Sequence, residues 1–78
     1  MKKIGIFGST GSIGTQALDI IRENPDKYKI VFLAAYSNSK KLISQSKEFK
    51  PLFTSIYKTS NVSDLKEQLN FGEISSGF

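Results

Sequence analysis

Three glycines at three-residue intervals fall within Gly8-Ser9-Thr10-Gly11-Ser12-Ile13-Gly14, between a short apolar run and a segment of helical periodicity. Before them, Lys3-Ile4-Gly5-Ile6-Phe7 reads as a strand buried on both faces. After them, Ile13, Ala17, Ile20 and Ile21 recur at three- and four-residue spacings, which predicts a helix from Ser12 with those side chains along one face. A strand that turns this sharply into a helix has few options. Glycine there permits a positive φ and lets another group approach bare backbone. The first amides of the helix have no partner within it and lie at the positive end of its dipole, which suits the turn to a phosphate. On this reading Gly8 makes the turn, Gly11 admits a pyrophosphate, and Gly14 lets the helix pack against the strand. Thr10 and Ser12 add hydroxyl donors. The spacing is Gly-x-x-Gly-x-x-Gly rather than the commoner Gly-x-Gly-x-x-Gly, so the motif draws its weight from the strand and helix that flank it.

The rest of the chain repeats the alternation. Asn24-Pro25-Asp26 stops the first helix, because proline lacks an amide donor and restricts the residue before it. Lys29 to Ala35 is a second apolar run rich in β-branched residues, and strand, helix, strand within this span makes a parallel βαβ unit with a right-handed crossover. Ser37, Asn38 and Ser39 are helix-capping residues ahead of Leu42, Ile43, Ser46 and Phe49, with the lysines outward and Pro51 as the stop. Leu52 to Tyr57 reads as a third strand, Asn61 to Ser63 as the cap of a short helix carrying Leu65 and Leu69, and Glu73 to Phe78 as an ambiguous tail or the start of a fourth strand. Phe7, Phe32, Phe49 and Phe53 are assigned to core positions, which argues against an RNA-stacking platform.

The fold class expected is therefore α/β: a Rossmann-type parallel sheet with flanking helices, N-terminal half only, as βαβαβ plus a short tail. A complete dinucleotide-binding fold needs two such halves, and 78 residues hold one. With no cysteine and no histidine, the chain has neither disulfides nor the usual metal ligands to support so small a core. Residues 1–78 are accordingly read as the N-terminal part of a cofactor-binding domain, with catalytic and C-terminal domains outside this chain.

The end of the second strand bears on which dinucleotide is bound. Sites for NAD usually place Asp or Glu there, on the ribose 2′-hydroxyl. Residues 30–47 contain no carboxylate, and Asp26 lies at the wrong end of the strand. The strand instead leads into Tyr36-Ser37-Asn38-Ser39-Lys40-Lys41, a set able to neutralise a 2′-phosphate, which favours NADP(H). The position of Tyr36 allows stacking on an adenine. The net charge of +4 comes from residues 40–58, which carry five lysines against Glu48 alone. That is a solvated basic surface or a phosphate-facing edge rather than a nucleic-acid-binding arm, which would need a block of like charges. No run approaches a membrane span and no signal or transit pattern opens the chain, so a cytoplasmic protein is expected.

The longer string is more specific than the glycines. Gly8-Ser9-Thr10-Gly11-Ser12-Ile13-Gly14-Thr15-Gln16, with Leu18-Asp19, Asn24-Pro25, Ala35-x-Ser37-Asn38 and the later Leu42, Phe49 and Pro51, resembles the N-terminus of the 1-deoxy-D-xylulose 5-phosphate reductoisomerase family. The resemblance is close over residues 3–51 and looser beyond. It implies an NADPH-dependent oxidoreductase that isomerises and reduces 1-deoxy-D-xylulose 5-phosphate to 2-C-methyl-D-erythritol 4-phosphate in the non-mevalonate isoprenoid pathway, with a divalent metal (Mg or Mn) and as a homodimer. By position it places Thr10, Gly11, Ser12 and Ile13 at the cofactor pyrophosphate, and Ser37 and Asn38 at the adenosine ribose phosphate. Tyr36 departs from the glycine often found there, which puts the local backbone path in question. The family's metal carboxylates and the ligands of its phosphorylated sugar substrate lie beyond residue 78, so no catalytic or metal residue is expected in this chain. Asp19 and Glu23, one helical turn apart, fit a solvated face better than a metal site. Two other readings remain: an NADP-dependent dehydrogenase of the semialdehyde type, which shares Gly-x-Thr-Gly-x-x-Gly, and a non-catalytic basic module for nucleic acid.

Overall fold

The computed structural model describes residues 1–77. Strands β1 (Lys2–Phe7), β2 (Tyr28–Ala35), β3 (Phe53–Ile56) and β4 (Glu73–Ser76) alternate with helices α1 (Ser12–Glu23), α2 (Ser39–Phe49) and α3 (Val62–Gln68), the last entered through a 3-10 turn at Thr59–Asn61. All neighbouring strands pair in parallel, in the sheet order β1-β2-β3-β4. The α/β architecture thus agrees with the expected pattern, and the ambiguous tail forms β4, with Thr54 opposite Ile74. Phe78, the last residue of that expected tail, lies outside the described residues.

Strands added in one direction, each by a right-handed crossover, return every helix to the same side of the sheet. Contacts between helices agree. Arg22 of α1 binds Glu48 of α2, and Ser39 of α2 donates to Asp64 of α3 at 3.3 Å. Between the helices and the sheet lies one core, built from Leu18 and Ile21 of α1, Leu42 of α2, Leu65 and Leu69, and the strand residues Ile6, Ile30, Leu33, Ala35 and Ile56.

The other face of the sheet carries no helix among the described residues, and this corrects the expectation that β1 is buried on both faces; β2, between β1 and β3, is largely buried, with Ile30, Leu33, Ala34 and Ala35 all at 2% exposure or less. Ile4 and Ile6 face the helices, so Phe7 turns away and is 68% exposed. On β3, Thr54 and Ile56 are buried toward the helices; Phe53 lies on the other face and is exposed, although Ser55 beside it on that face is buried. Phe32 is displaced by a register shift: Ile4 pairs with Ile30 but Gly5 with Phe32, and the extra residue, Val31, moves Leu33 and Ala35 onto the face of Ile30. Phe32 then covers Gly5 and meets Phe7 on the bare face, their rings 5.0 Å apart and tilted by 56°. Of the four phenylalanines assigned to the core, Phe49 alone packs against it, and partly. The three others share the bare face, so burial periodicity does not argue against a stacking platform; the tilted packing of Phe7 on Phe32 does.

In α1 the buried stripe is Gly14, Leu18 and Ile21, at intervals of four and three. Ile13 and Ile20 each precede a stripe residue, about 100° around the helix, and both are exposed rather than buried as expected. Asn61 does not cap α3 with its side chain. Its Nδ2 reaches back to the carbonyl of Ser37 at 3.2 Å.

Candidate functional site

The glycine turn is built as a rigid joint. The amide of Ser9 donates to Ala34 O at 2.9 Å, carrying the β1–β2 ladder two residues beyond the end of β1. Gly8 then turns the chain with φ +70°, where an L side chain is strained, and the Gly11 amide closes the turn onto Gly8 O at 3.0 Å. Gly11 is the N-cap of α1, and its carbonyl accepts from both the amide and the hydroxyl of Thr15, at 2.9 and 2.7 Å. No side chain caps this end. The amides of Ser12, Ile13 and Gly14 precede Thr15, whose amide makes the first bond to Gly11 O, so they have no partner within the helix.

The three glycines do different work. A methyl group on Gly14 would run into the carbonyl oxygen of Gly8 and stand 2.7 Å from Ser9 Cα, so the helix cannot seat on the turn with any other residue. A methyl on Gly11 would meet nothing nearer than Gly8 O at 3.4 Å, an ordinary contact. The fold therefore tolerates a side chain at Gly11. A groove of about 440 Å³ runs along this surface, lined by residues including Phe7, Gly8, Gly11, Ser12 and Ile13. Thr10 is half-buried, while Ser12 and Ile13 are exposed, Ile13 at 82%. An isoleucine so placed at a helix start explains the exposure that the core reading missed: it forms a wall of the groove.

The second cluster lies past β2. Asn38 caps α2, its Oδ1 accepting from the Lys41 amide at 3.1 Å, which leaves Nδ2 as a donor. The carbonyl of Ser37 takes the Ser39 amide at 2.9 Å as well as Asn61 Nδ2, so the backbone is held while the hydroxyl of Ser37 stays available. Both lysines of the first turn, Lys40 and Lys41, are exposed. Lys40 lines a groove between α2 and α3 with Asp64 and Glu67, which leaves Lys41 as the cation outside that groove. The carboxylate missing from the end of the second strand is thus not replaced there; Asp64 lies on the α3 side of Ser39. Tyr36 needs no glycine conformation, since Lys50 is the only non-glycine described with a positive φ. That settles the backbone path at Tyr36.

One residue of this region was missed in the sequence. Gln45 of α2 is buried and donates through Nε2 to Ser9 O at 2.8 Å, tying the second helix to the glycine turn. Glutamine on a helix reads as a solvated residue, and only its position over the turn shows otherwise. Ser9 Oγ and Gln45 Oε1 are buried beside this joint without a partner.

Away from the turn, Arg22 of α1 donates to Glu48 of α2 through Nη2 at 2.8 Å and through Nε, and to Asp19 at 2.7 Å. Its guanidinium also lies 5.4 Å from the Phe49 ring centroid. The hydrogen bonds to Glu48 and then Asp19 raise the pKa of Arg22, and those from Arg22 hold the Glu48 carboxyl below the usual carboxylate range. Asp19 is thus an ion-pair residue. Among the described residues no group of three His, Cys, Asp or Glu side chains is placed to hold a metal, and no helix is long and apolar enough to cross a membrane.

A family model described as 1-deoxy-D-xylulose 5-phosphate reductoisomerase matches residues 4–76. The chain belongs to that family. It is 57% identical over 68 residues to the chloroplastic reductoisomerase of Mentha piperita, a match covering 87% of this chain and 14% of that protein. With the reductoisomerase of Thermodesulfovibrio yellowstonii it shares 43% over 77 residues, covering 99% of this chain and 20% of the relative. Among solved structures, the Zymomonas mobilis reductoisomerase in complex with NADPH superposes with a TM-score of 0.92 at 35% identity, over 97% of this chain and 21% of that one. A second reductoisomerase structure, in complex with NADPH, fosmidomycin and magnesium, gives 0.86 at 31% identity over 96% of this chain and 19% of that one. The chain thus spans about a fifth or less of the length of these reductoisomerases.

Proposed function

We propose that this chain is the NADPH-binding portion of a reductoisomerase that converts 1-deoxy-D-xylulose 5-phosphate to 2-C-methyl-D-erythritol 4-phosphate. The observation that carries the reading is the α1 N-terminus: no side-chain cap on its first-turn amides, and a bare Gly11 that the fold itself does not require. Thr10, Gly11, Ser12 and Ile13 would hold the pyrophosphate through backbone donors and the helix dipole. Ser37, Asn38 and Lys41 would hold the ribose 2′-phosphate. Bound NADPH supplies the hydride for the reduction. The chain's own part is to bind and orient it, and no step of the sugar chemistry is assigned to residues described here.

The divalent metal and the phosphorylated sugar would be held by parts of the enzyme beyond these residues. Structures of related reductoisomerases in complex with magnesium, fosmidomycin and NADPH support the need for a metal beside the cofactor in the whole enzyme. Homodimeric assembly, a cytoplasmic location and the absence of nucleic-acid partners belong to the same proposal. It is tested by titrating the chain with NADPH while following cofactor fluorescence, alongside Gly11→Val. Saturable binding that the valine removes, with the far-ultraviolet dichroism unchanged, is expected. Equal binding by Gly11→Val would contradict the pyrophosphate assignment.

A further inference from the structure

Two aromatic rings stand at the carboxyl edge of the sheet, outside the core. Tyr36 directly succeeds the last residue of β2 and Tyr57 the last residue of β3. The backbone continues the ladder through them: the Tyr57 amide donates to Ala35 O and the Lys58 amide to Tyr36 O, both at 2.9 Å. This brings the rings side by side, 5.1 Å between centroids and only 16° from parallel. The arrangement differs from the tilted Phe7–Phe32 pair, which covers Gly5 on the bare face of the sheet. Each tyrosine gives one ring face to the other, yet Tyr36 remains 62% exposed and Tyr57 46% exposed. Their positions are held by the backbone ladder bonds.

We propose that the Tyr36–Tyr57 stack is a platform for the adenine ring of the cofactor. The inference rests on the proposed cofactor site and deepens it. Ligands of open parallel sheets bind outside the carboxyl ends of the strands, where this pair stands. Tyr36 directly precedes Ser37 and Asn38, the residues that would hold the ribose phosphate, and the adenine is bonded to that same ribose. A flat ring pair with an exposed face binds a base by stacking, without reading its hydrogen-bonding edge. The platform therefore adds affinity for the adenosine half, while Ser37, Asn38 and Lys41 discriminate the phosphate.

The test uses the whole chain and three probes: NADPH, 2′-AMP, and reduced nicotinamide mononucleotide, which lacks the adenosine half. Tyr36→Ala is expected to weaken NADPH and 2′-AMP by about tenfold, and Tyr36→Phe, which keeps the ring, by less than about twofold. Neither substitution changes binding of the mononucleotide. In the complex of the unsubstituted chain with 2′-AMP, nuclear Overhauser contacts join adenine H2 or H8 to ring protons of Tyr36 or Tyr57. Undiminished NADPH affinity in Tyr36→Ala would overturn the platform and leave the cofactor reading standing. So would a loss in Tyr36→Ala with no adenine–tyrosine contact in the unsubstituted complex, because a backbone effect would then explain it. Failure of the unsubstituted chain to bind NADPH or 2′-AMP would overturn both readings.

Discussion

Gly14 and Gly11 look equivalent in the motif and are opposite in the structure. At Gly14 an added methyl collides with backbone that cannot yield, so Gly14→Ala is expected to destabilise the chain by about 3 kcal/mol, read from urea unfolding. Gly11→Ala should stay within about 1 kcal/mol of the original chain in the same measurement. A larger loss at Gly11 than at Gly14 would reverse the assignment of which glycine serves the fold and which the ligand. Asn38 separates two roles in one side chain. Asn38→Ala loses the cap on Lys41 N and should cost about 1 kcal/mol. Asn38→Asp keeps an accepting oxygen but replaces the Nδ2 donor with negative charge, so stability holds while 2′-AMP affinity falls. Equal 2′-AMP affinity in the aspartate variant would remove Asn38 from the phosphate site.

Between elements, the contacts that matter join α2 to its neighbours. Gln45→Leu would leave Ser9 O buried without its donor, a loss on the order of 1–3 kcal/mol that also loosens the glycine turn. A thermal melt unchanged by this substitution would show that the joint holds without Gln45. The Arg22–Glu48 link between α1 and α2 carries a pH dependence of known sign. Because the folded chain depresses the Glu48 pKa, the unfolded chain binds the proton more readily as pH falls. The contribution is present above the ordinary carboxylate pKa and is lost as pH drops through the lowered folded value. It is small, since both partners are well exposed. Melting temperature should fall between pH 6 and pH 3 by slightly less in Glu48→Gln than in the original chain, and a steeper fall in the variant would contradict the sign. Such links were not legible in the sequence, where Gln45 and Glu48 read as solvent-facing helix residues. Element boundaries were more accessible: Pro25 and Pro51, the apolar strands and the glycine turn mark them locally. Phe32 was misplaced because a one-residue register shift at Val31 depends on pairing with β1, which no local pattern in β2 records.

At the scale of the molecule, one side of the sheet is covered by helices and the other presents Phe7, Phe32 and Phe53. Alternating strand residues predicted apolar character correctly on both faces. They could not tell that every crossover would return on the same side, because that depends on the order in which the strands are added. The candidate site was legible further than the core. Thr10 to Ile13 and Ser37 with Asn38 lie at two helix starts on the same carboxyl edge, and what remained hidden was the third dimension: the ring pair of Tyr36 with Tyr57 and the burial of Gln45. On the proposed function, this edge binds NADPH through its 2′-phosphate. Calorimetric titration of the chain with NADPH and with NADH at equal ionic strength tests it most directly. NADPH is expected to bind at least about tenfold tighter, the worth of roughly one charge-assisted contact; equal affinities for the two would overturn the 2′-phosphate assignment.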